Sequence, residues 1–135
     1  MNTKQKKIVV TIDDYQRLSN LLKSDYAQAI GDKPYLTGLR SELAVARIVE
    51  PENIDSEVVT MNSKVRLVDL DLNQDEIYTL VYPDQADIAR SKLSILTPIG
   101  TAILGFRVGD VLTGLASRMR IEEVIFQPER EGIAL

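Results

Sequence analysis

Apolar residues recur at helical spacing in the first part of the chain. Within "TIDDYQRLSNLLKSDYAQAI", residues 11–30, the repeat comprises Tyr15, Leu18, Leu22, Tyr26 and Ala29. Steps of three and four positions place these side chains on one face, so the pattern predicts a single amphipathic helix. Asp13 is the expected N-cap, and Asp14 in the first turn suits the positive end of the helix dipole.

A second helix is predicted after a short break that contains Gly31 and Pro34. It lies in "LTGLRSELAVARIV", residues 36–49, with Thr37 or Asp32 as its cap. Its apolar stripe consists of Leu36, Leu39, Leu43 and Ala46. Two stripes joined by a short break predict an antiparallel helical hairpin, a short coiled-coil arm over residues 1–50. The alternative is that both helices only cover a sheet.

The periodicity changes after the polar stretch "EPENIDSE", which is the best boundary in the chain. Short segments rich in β-branched residues follow: "EVVTM", "KVRLVDL", "EIYTLVY", "KLSIL", "DVLTG" and "RMRIEEVIF". Alternation of apolar and polar positions predicts five or six strands of a mostly antiparallel sheet within residues 57–135. The expected fold class is therefore α+β, with helices first and a sheet second. The tail "PEREGIAL" is expected to lie loosely over the surface.

Three glycines in "LTPIGTAILGFRVGD", residues 96–110, raise the question of a phosphate-binding loop. The spacing fits neither G-x-G-x-x-G nor a P-loop, and no lysine stands at the phosphate position. A short helix explains the residues better, with Thr97 as N-cap, Pro98 at the first position and Gly105 as a left-handed end. Its inward side chains are predicted to be Ile99, Ala102, Ile103 and Leu104.

Composition removes several classes of function. The 135 residues include no Cys, His or Trp, so thiolate and histidine-dependent hydrolases and zinc-thiolate sites are excluded. A net charge of −4 and only two Phe argue against broad nucleic-acid binding. No apolar run is long enough to span a bilayer, and "MNTKQKK" reads as a solvated tail rather than a signal peptide. We expect a cytoplasmic protein with a protein partner and no cofactor.

Alternating acidic residues in "DLDLNQDEIYTL" resemble the early ligands of a calcium loop: Asp69, Asp71, Asn73 and Asp75. An EF-hand needs Gly at the sixth position and Glu at the twelfth, where this chain has Gln74 and Leu80. A hairpin turn between two strands is therefore predicted, and no metal site.

The other acidic pairs give no catalytic arrangement. Glu122 and Glu123 are neighbours in a predicted strand, so their side chains point to opposite faces. Asp25 and Asp32 flank the predicted hairpin tip, where they are either solvated or hold a divalent cation.

The stretch "LSILTPIGTAILGFRVGD" resembles the signature of the C-terminal domain of the Gre transcription factors. Residues 97–99 match its Ser-Pro-Ile part, residues 102–105 its Ala-Leu-Leu-Gly part and residues 108–110 its Val-Gly-Asp end. "VVTMNSKVRLVDL", "YTLVYPDQAD" and "VIFQPE" are similar to the short-armed Rnk branch of the same superfamily. The resemblance covers nearly the whole chain and is most specific in residues 57–135.

The resemblance implies an FKBP-like antiparallel sheet with a short helix, preceded by a coiled-coil arm. It also implies docking of a monomer on RNA polymerase near the secondary channel, with DNA met only through the transcription complex. The expected docking residues are Leu96, Thr97, Pro98 and Ile99.

Three departures from the Gre pattern limit what the resemblance implies. Gre factors carry a closely spaced acidic pair at the arm tip, whereas Asp25 and Asp32 are seven positions apart. The predicted first helix of about 16 residues spans only roughly 24 Å, and Leu96 stands where Gre factors tend to have Asp. We therefore expect a non-enzymatic regulator that competes with Gre factors without stimulating transcript cleavage. The alternative is a small enzyme, either prolyl-isomerase-like or dependent on carboxylates or a metal.

Overall fold

The computed structural model describes residues 7–112 and 114–135, which form an α+β fold. Its helices are α1 (Ile12–Leu22), α2 (Asp25–Ile30), α3 (Pro34–Ala44) and α4 (Pro98–Ile103). Its strands are β1 (Val9–Thr11), β2 (Arg47–Val49), β3 (Lys64–Asp69), β4 (Gln74–Val81), β5 (Lys92–Ser94), β6 (Val111–Leu112) and β7 (Met119–Phe126). Short 3-10 turns lie at Pro51–Asn53, Pro83–Gln85 and Ile88–Arg90.

The first predicted helix is divided into α1 and α2, so the prediction of one continuous helix is wrong. Lys23 ends α1 with its N–H donating to the Asn20 carbonyl, and the next N–H, that of Ser24, donates to the Leu21 carbonyl. The Ser24 side chain then caps α2. This break resets the helical phase, which leaves Tyr26 and Ala29 exposed and buries Ala27 instead.

The caps of the longer helices also differ from the prediction. Thr11, not Asp13, caps α1, because its hydroxyl accepts the Asp14 N–H at 3.1 Å. Lys33 is the N-cap residue of α3 without a side-chain hydrogen bond, and Pro34 occupies the first turn where it has no N–H to lose. Neither Thr37 nor Asp32 caps this helix.

Strands β1 and β2 form a two-stranded parallel sheet that the sequence pattern did not predict. Val9, Val10 and Thr11 pair with Arg47, Ile48 and Val49. Three residues per strand are too few to establish an alternation, so the pairing had no signal in periodicity. It brings the residues before α1 beside the residues after α3.

The larger sheet has five strands in the order β5-β4-β3-β7-β6. Its pairs are antiparallel except β4 with β5, which run parallel. The β3–β4 hairpin over residues 64–81 turns where the acidic residues alternate, as predicted. "EVVTM" forms no strand of the sheet. Its residues 58–61 are buried, and Val58 makes only an isolated bridge to Arg107.

One hydrophobic core unites the helices and the larger sheet. Leu18 of α1 and Leu36 and Leu39 of α3 belong to the same cluster as Leu67 of β3 and Ile103 of α4. Burial of such side chains stabilises a fold by about 1.5–3 kcal/mol each. The helices therefore rest on the sheet. Separately, none of the helices described here has the length and hydropathy of a membrane span.

The segment after β7 is held to the body of the protein. The prediction of a loosely lying tail is therefore wrong. Gln127 is fully buried, and its Nε2 donates to the carbonyls of Asp55 and Val58 at 2.8 Å. Arg17 Nη1 donates to the Leu135 carbonyl at 2.6 Å. Of the predicted N-terminal tail, residues 1–6 lie outside the described part of the chain, and Lys7 is exposed.

Candidate functional site

Helix α4 begins with a tightly bonded turn that fixes the expected docking residues. Thr97 Oγ1 accepts the Gly100 N–H at 3.1 Å and donates to the Ser94 carbonyl at 2.7 Å. Pro98 occupies the first turn, and Gly105 follows the helix with φ 79°, so the predicted cap and left-handed end are confirmed. A Cβ on Gly100 would lie 2.4 Å from the Ser94 carbonyl oxygen, so only glycine allows this approach of backbone to helix.

Three of the four expected docking residues line a surface groove of about 470 Å³. Pro98 is exposed, while Thr97 and Ile99 are partly buried. Leu96 is only 7 % exposed and belongs to the core, which removes it from the surface. The remaining lining residues are Asp69, Glu76, Leu93, Gly114, Leu115, Ala116, Ser117 and Met119.

Residues 114–117 line the groove, and the next residue, Arg118, anchors this segment to the β3–β4 turn. The Arg118 side chain donates from Nε and Nη2 to Asp71 Oδ1 at 3.0 and 2.9 Å, and its backbone N–H donates to Oδ2 at 2.8 Å. Hydrogen bonds from the Arg118 backbone and side chain lower the pKa of Asp71. The Leu70 N–H donates to the Arg118 carbonyl at 2.8 Å. The groove between these elements is therefore shaped by hydrogen bonds within the chain.

One lining residue of the groove, Glu76, is a carboxylate bonded to a tyrosine. The Tyr78 hydroxyl donates to Glu76 Oε1 at 2.5 Å, and this bond, with burial, raises the pKa of Tyr78 to about 12. Tyr78 therefore stays neutral at physiological pH and holds the charged Glu76 in place. The groove combines an apolar lining with a fixed negative group.

The acidic residues of the β3–β4 turn have partners of their own. Asp69 Oδ1 accepts the N–H groups of Asp71 and Leu72, and Asp75 accepts from Arg66 at 3.3 Å. No group of three or more His, Cys, Asp or Glu side chains is placed to hold a metal within residues 7–112 and 114–135. The turn is thus a hairpin closed by its own carboxylates.

The other acidic pairs considered in the sequence have separate partners or are exposed in the structure. Glu122 accepts from Arg120 at 2.8 Å, whereas Glu123 accepts from Arg66 across the sheet at 2.8 Å. Asp25 is the first residue of α2, Asp32 lies in the turn before α3, and both are exposed.

Asp14 is a titratable residue whose environment the sequence did not reveal. It is 7 % exposed and accepts the Met61 N–H at 3.1 Å. Burial raises its pKa to about 7, against the lowering effect of the Met61 hydrogen bond. Its position four residues before Leu18 and eight before Leu22 places it on the buried face of α1, and this spacing was the available signal.

The fold and the motif around α4 define a class of transcription factor, and sequence comparisons establish the family. Residues 53–125 match the family described as "Transcription elongation factor, GreA/GreB, C-term", and residues 6–49 match "Rnk N-terminus". The chain therefore belongs to the GreA/GreB family of transcription elongation factors.

Within this family the chain is similar along most of its length to the regulator of nucleoside diphosphate kinase of Escherichia coli (strain K12). The two are 34 % identical over 130 residues, which cover 93 % of each chain. The solved structure of a prokaryotic transcription elongation factor GreA/GreB from Nitrosomonas europaea is 38 % identical and has a TM-score of 0.75. The matched region covers 89 % of this chain and 100 % of the chain from Nitrosomonas europaea.

A GreA from Thermodesulfovibrio yellowstonii is 37 % identical over 75 residues, which are 56 % of this chain and 48 % of that protein. The match to this GreA is therefore partial, whereas the match to the regulator of nucleoside diphosphate kinase extends over nearly the whole of both chains.

Proposed function

We propose that this transcription-elongation-factor-like regulator binds RNA polymerase and docks through the groove beside α4. The observation that carries the proposal is the exposed Pro98, held between Thr97 and Ile99 at the mouth of an apolar groove. Pre-shaped apolar pockets of this kind supply anchors in protein interfaces, because burying a side chain there costs little reorganisation. Membership of the GreA/GreB family supports RNA polymerase as the partner.

The chemistry of the groove indicates what a partner surface must offer. Leu93, Ile99 and Leu115 line it with apolar side chains, and Glu76 adds a negative group. A complementary surface would insert an apolar side chain and present a lysine or arginine toward Glu76. Leu96 plays no direct part, since it lies in the core.

We also propose that the helical segment acts by occupying the polymerase rather than by catalysis. Helix α1 has 11 residues, about 16 Å at 1.5 Å per residue, which is shorter than the sequence suggested. Asp25 and Asp32 are exposed, and their separation in the chain differs from a closely spaced acidic pair. Cleavage assistance needs carboxylates that hold Mg²⁺ at about 2.1 Å while it contacts RNA phosphates. The protein would then exclude Gre factors by mass action.

The proposal also covers the division of the chain into two parts, the oligomeric state and the location of the protein. We propose that the helices of the predicted arm, residues 1–50, act as a short antiparallel hairpin seated on the sheet, since Leu18, Leu36 and Leu39 share its core, and that residues 57–135 act as an FKBP-like unit. We propose a monomer that works in the cytoplasm, needs no cofactor and meets DNA only through the transcription complex.

The proposal is tested by retention of the purified protein on immobilised core RNA polymerase at low salt. A Gre factor in the same experiment is the positive control, and bare matrix is the negative one. We expect saturable retention that a Gre factor reduces in a dose-dependent way. If the Gre factor is retained and this protein is not, polymerase binding is excluded.

A further inference from the structure

A single buried carboxyl connects helix α1 to two points of the sheet segment. Asp14 Oδ2 accepts the N–H of Met61, which precedes β3, and the Tyr82 hydroxyl, just after β4, lies 3.5 Å from Oδ1. The Asp14 N–H is itself bonded to Thr11 at the start of α1. A small movement of this first turn would therefore separate Asp14 from both partners and admit water.

The groups that face Asp14 compensate a negative charge poorly. A cavity of about 290 Å³ lies beside it, and the carboxyls on this cavity are those of Asp13, Glu52 and Glu129. Arg17 of α1 is the one guanidinium on that cavity within the described part of the chain. It is already engaged, since it donates to the Leu135 carbonyl and its Cζ lies 6.0 Å from the centre of the Tyr82 ring.

Glu129 cannot easily turn away from Asp14. Its Oε1 accepts the Thr60 hydroxyl at 2.7 Å, and Thr60 is in turn bonded to Ser63 in the buried turn before β3. A negative charge on Asp14 therefore meets a second carboxylate that is fixed by hydrogen bonds. The tyrosine on the other side stays neutral, because burial and then the charge of Asp14 raise the pKa of Tyr82.

We propose that Asp14 is a proton-controlled joint between α1 and the sheet. The neutral carboxyl holds the first turn of α1 on the Met61 backbone, and the ionised carboxylate favours a loosened state in which Asp14 is hydrated. The neutral group still accepts the Met61 N–H, so the closed joint loses no hydrogen bond on protonation. The ionised group gains water only when the joint opens.

The direction of the pH response follows from the two environments of the carboxyl. In the closed joint burial raises the pKa of Asp14 to about 7, whereas a hydrated aspartate has a pKa of about 3.9. Between these values, opening releases a proton, so the opening constant rises by up to about tenfold per pH unit. Above about pH 7 both states are ionised and the response levels off. Acidification therefore tightens the joint.

Amide hydrogen exchange of the full chain tests this joint, because the Met61 N–H reports its closure directly. The reference is the Ile121 amide, which donates to the Asp110 carbonyl in the sheet. After correction for intrinsic exchange, we expect Met61 to be less protected than Ile121 at pH 7. Its protection should fall by up to about 100-fold from pH 5 to pH 7. Carbon NMR of the Asp14 carboxyl should titrate with a midpoint near 7.

Two variants make the comparison specific. Asp14→Asn keeps an oxygen for the Met61 N–H but cannot ionise, so its Met61 protection should not change between pH 5 and pH 7. Asp25→Asn is the matched control, because it removes an exposed first-turn carboxylate of α2 that does not line this cavity, and it should behave as the wild type does.

Three results would contradict the proposal. They are a titration midpoint of the Asp14 carboxyl near 4, equal protection of the Met61 and Ile121 amides, or the same pH dependence of Met61 protection in Asp14→Asn as in wild type. Equal protection would mean that the contact opens only when the whole protein unfolds. If Asp14→Asn does not fold, the wild-type titration and the comparison of the two amides decide the question.

Discussion

Gly105 lies so close to Ile8 that a Cβ on the glycine would stand 2.5 Å from the isoleucine Cβ. The Gly105 carbonyl accepts the Val9 N–H at 3.2 Å, and the glycine has a φ of 79°. Ile8 is 1 % exposed, so this contact joins the residues before α1 to the end of α4 inside the core. Only glycine combines the left-handed backbone with such an approach.

Gly105→Ala should destabilise the protein by about 2–4 kcal/mol, because it adds a core clash to a strained backbone. Urea denaturation followed by circular dichroism measures this free energy. Gly109→Ala is the matched control, since Gly109 also has a positive φ of 96° but nothing lies within 4 Å of its would-be Cβ. That control should lose only about 1–2 kcal/mol. Equal losses would show that the contact with Ile8 adds nothing to backbone strain.

Asp14 should make the stability of the whole protein fall as the pH rises from about 4 to about 7. Its pKa is raised in the folded state, so the neutral form is favoured there and the stabilisation is lost as the carboxyl ionises. Asp14→Asn should flatten this dependence and unfold at higher urea concentration at pH 7.5, by roughly 1–3 kcal/mol. Urea titrations at pH 4.5 and 7.5 measure both effects. An unchanged slope in the variant would assign the pH dependence to other groups.

Pro98→Glu should weaken binding to core RNA polymerase by tenfold or more, because it adds a charge to the lining of an apolar groove that already carries Glu76. Ile88→Glu is the control, since Ile88 is 93 % exposed and outside the groove. Binding is measured by titration of labelled protein, and thermal unfolding shows whether each variant keeps the fold. If the two variants bind equally well, docking uses another surface.

The protein should leave backtracked transcription complexes uncleaved and slow the cleavage that a Gre factor stimulates. Asp25→Asn and Asp32→Asn should change neither result, because the two exposed carboxylates are seven positions apart in the chain, unlike a closely spaced acidic pair. The measurement is the length of labelled RNA after incubation with increasing amounts of each protein. Stimulated cleavage by the wild type that either substitution abolishes would make these residues an active site.

Local signals carried the parts of the fold that were predicted correctly. Helix α4 is set by contacts within a few positions, from Thr97 to Gly100 and from the left-handed Gly105. The β3–β4 hairpin is set by alternation and by a turn in which Asp69 accepts nearby N–H groups. The stripe of α3 was correct for Leu36, Leu39 and Leu43, which are all buried. Its last member, Ala46, lies beyond the helix, which ends at Ala44 before strand β2. Each of these features depends on neighbours in the chain, which a sequence displays.

By itself, the sequence determined the α+β class, the β3–β4 hairpin, the capped helix α4 and the residues that carry the family resemblance. The reason is that short-range hydrogen bonds and periodic burial act along the chain. The tertiary structure decided the break after Leu22, the pairing of β1 with β2, the burial of Leu96 and the environment of Asp14. These depend on which distant segments meet. Asp14 is an ordinary first-turn aspartate until Met61, Tyr82 and Glu129 surround it, and only then does its proton bear on how α1 is held.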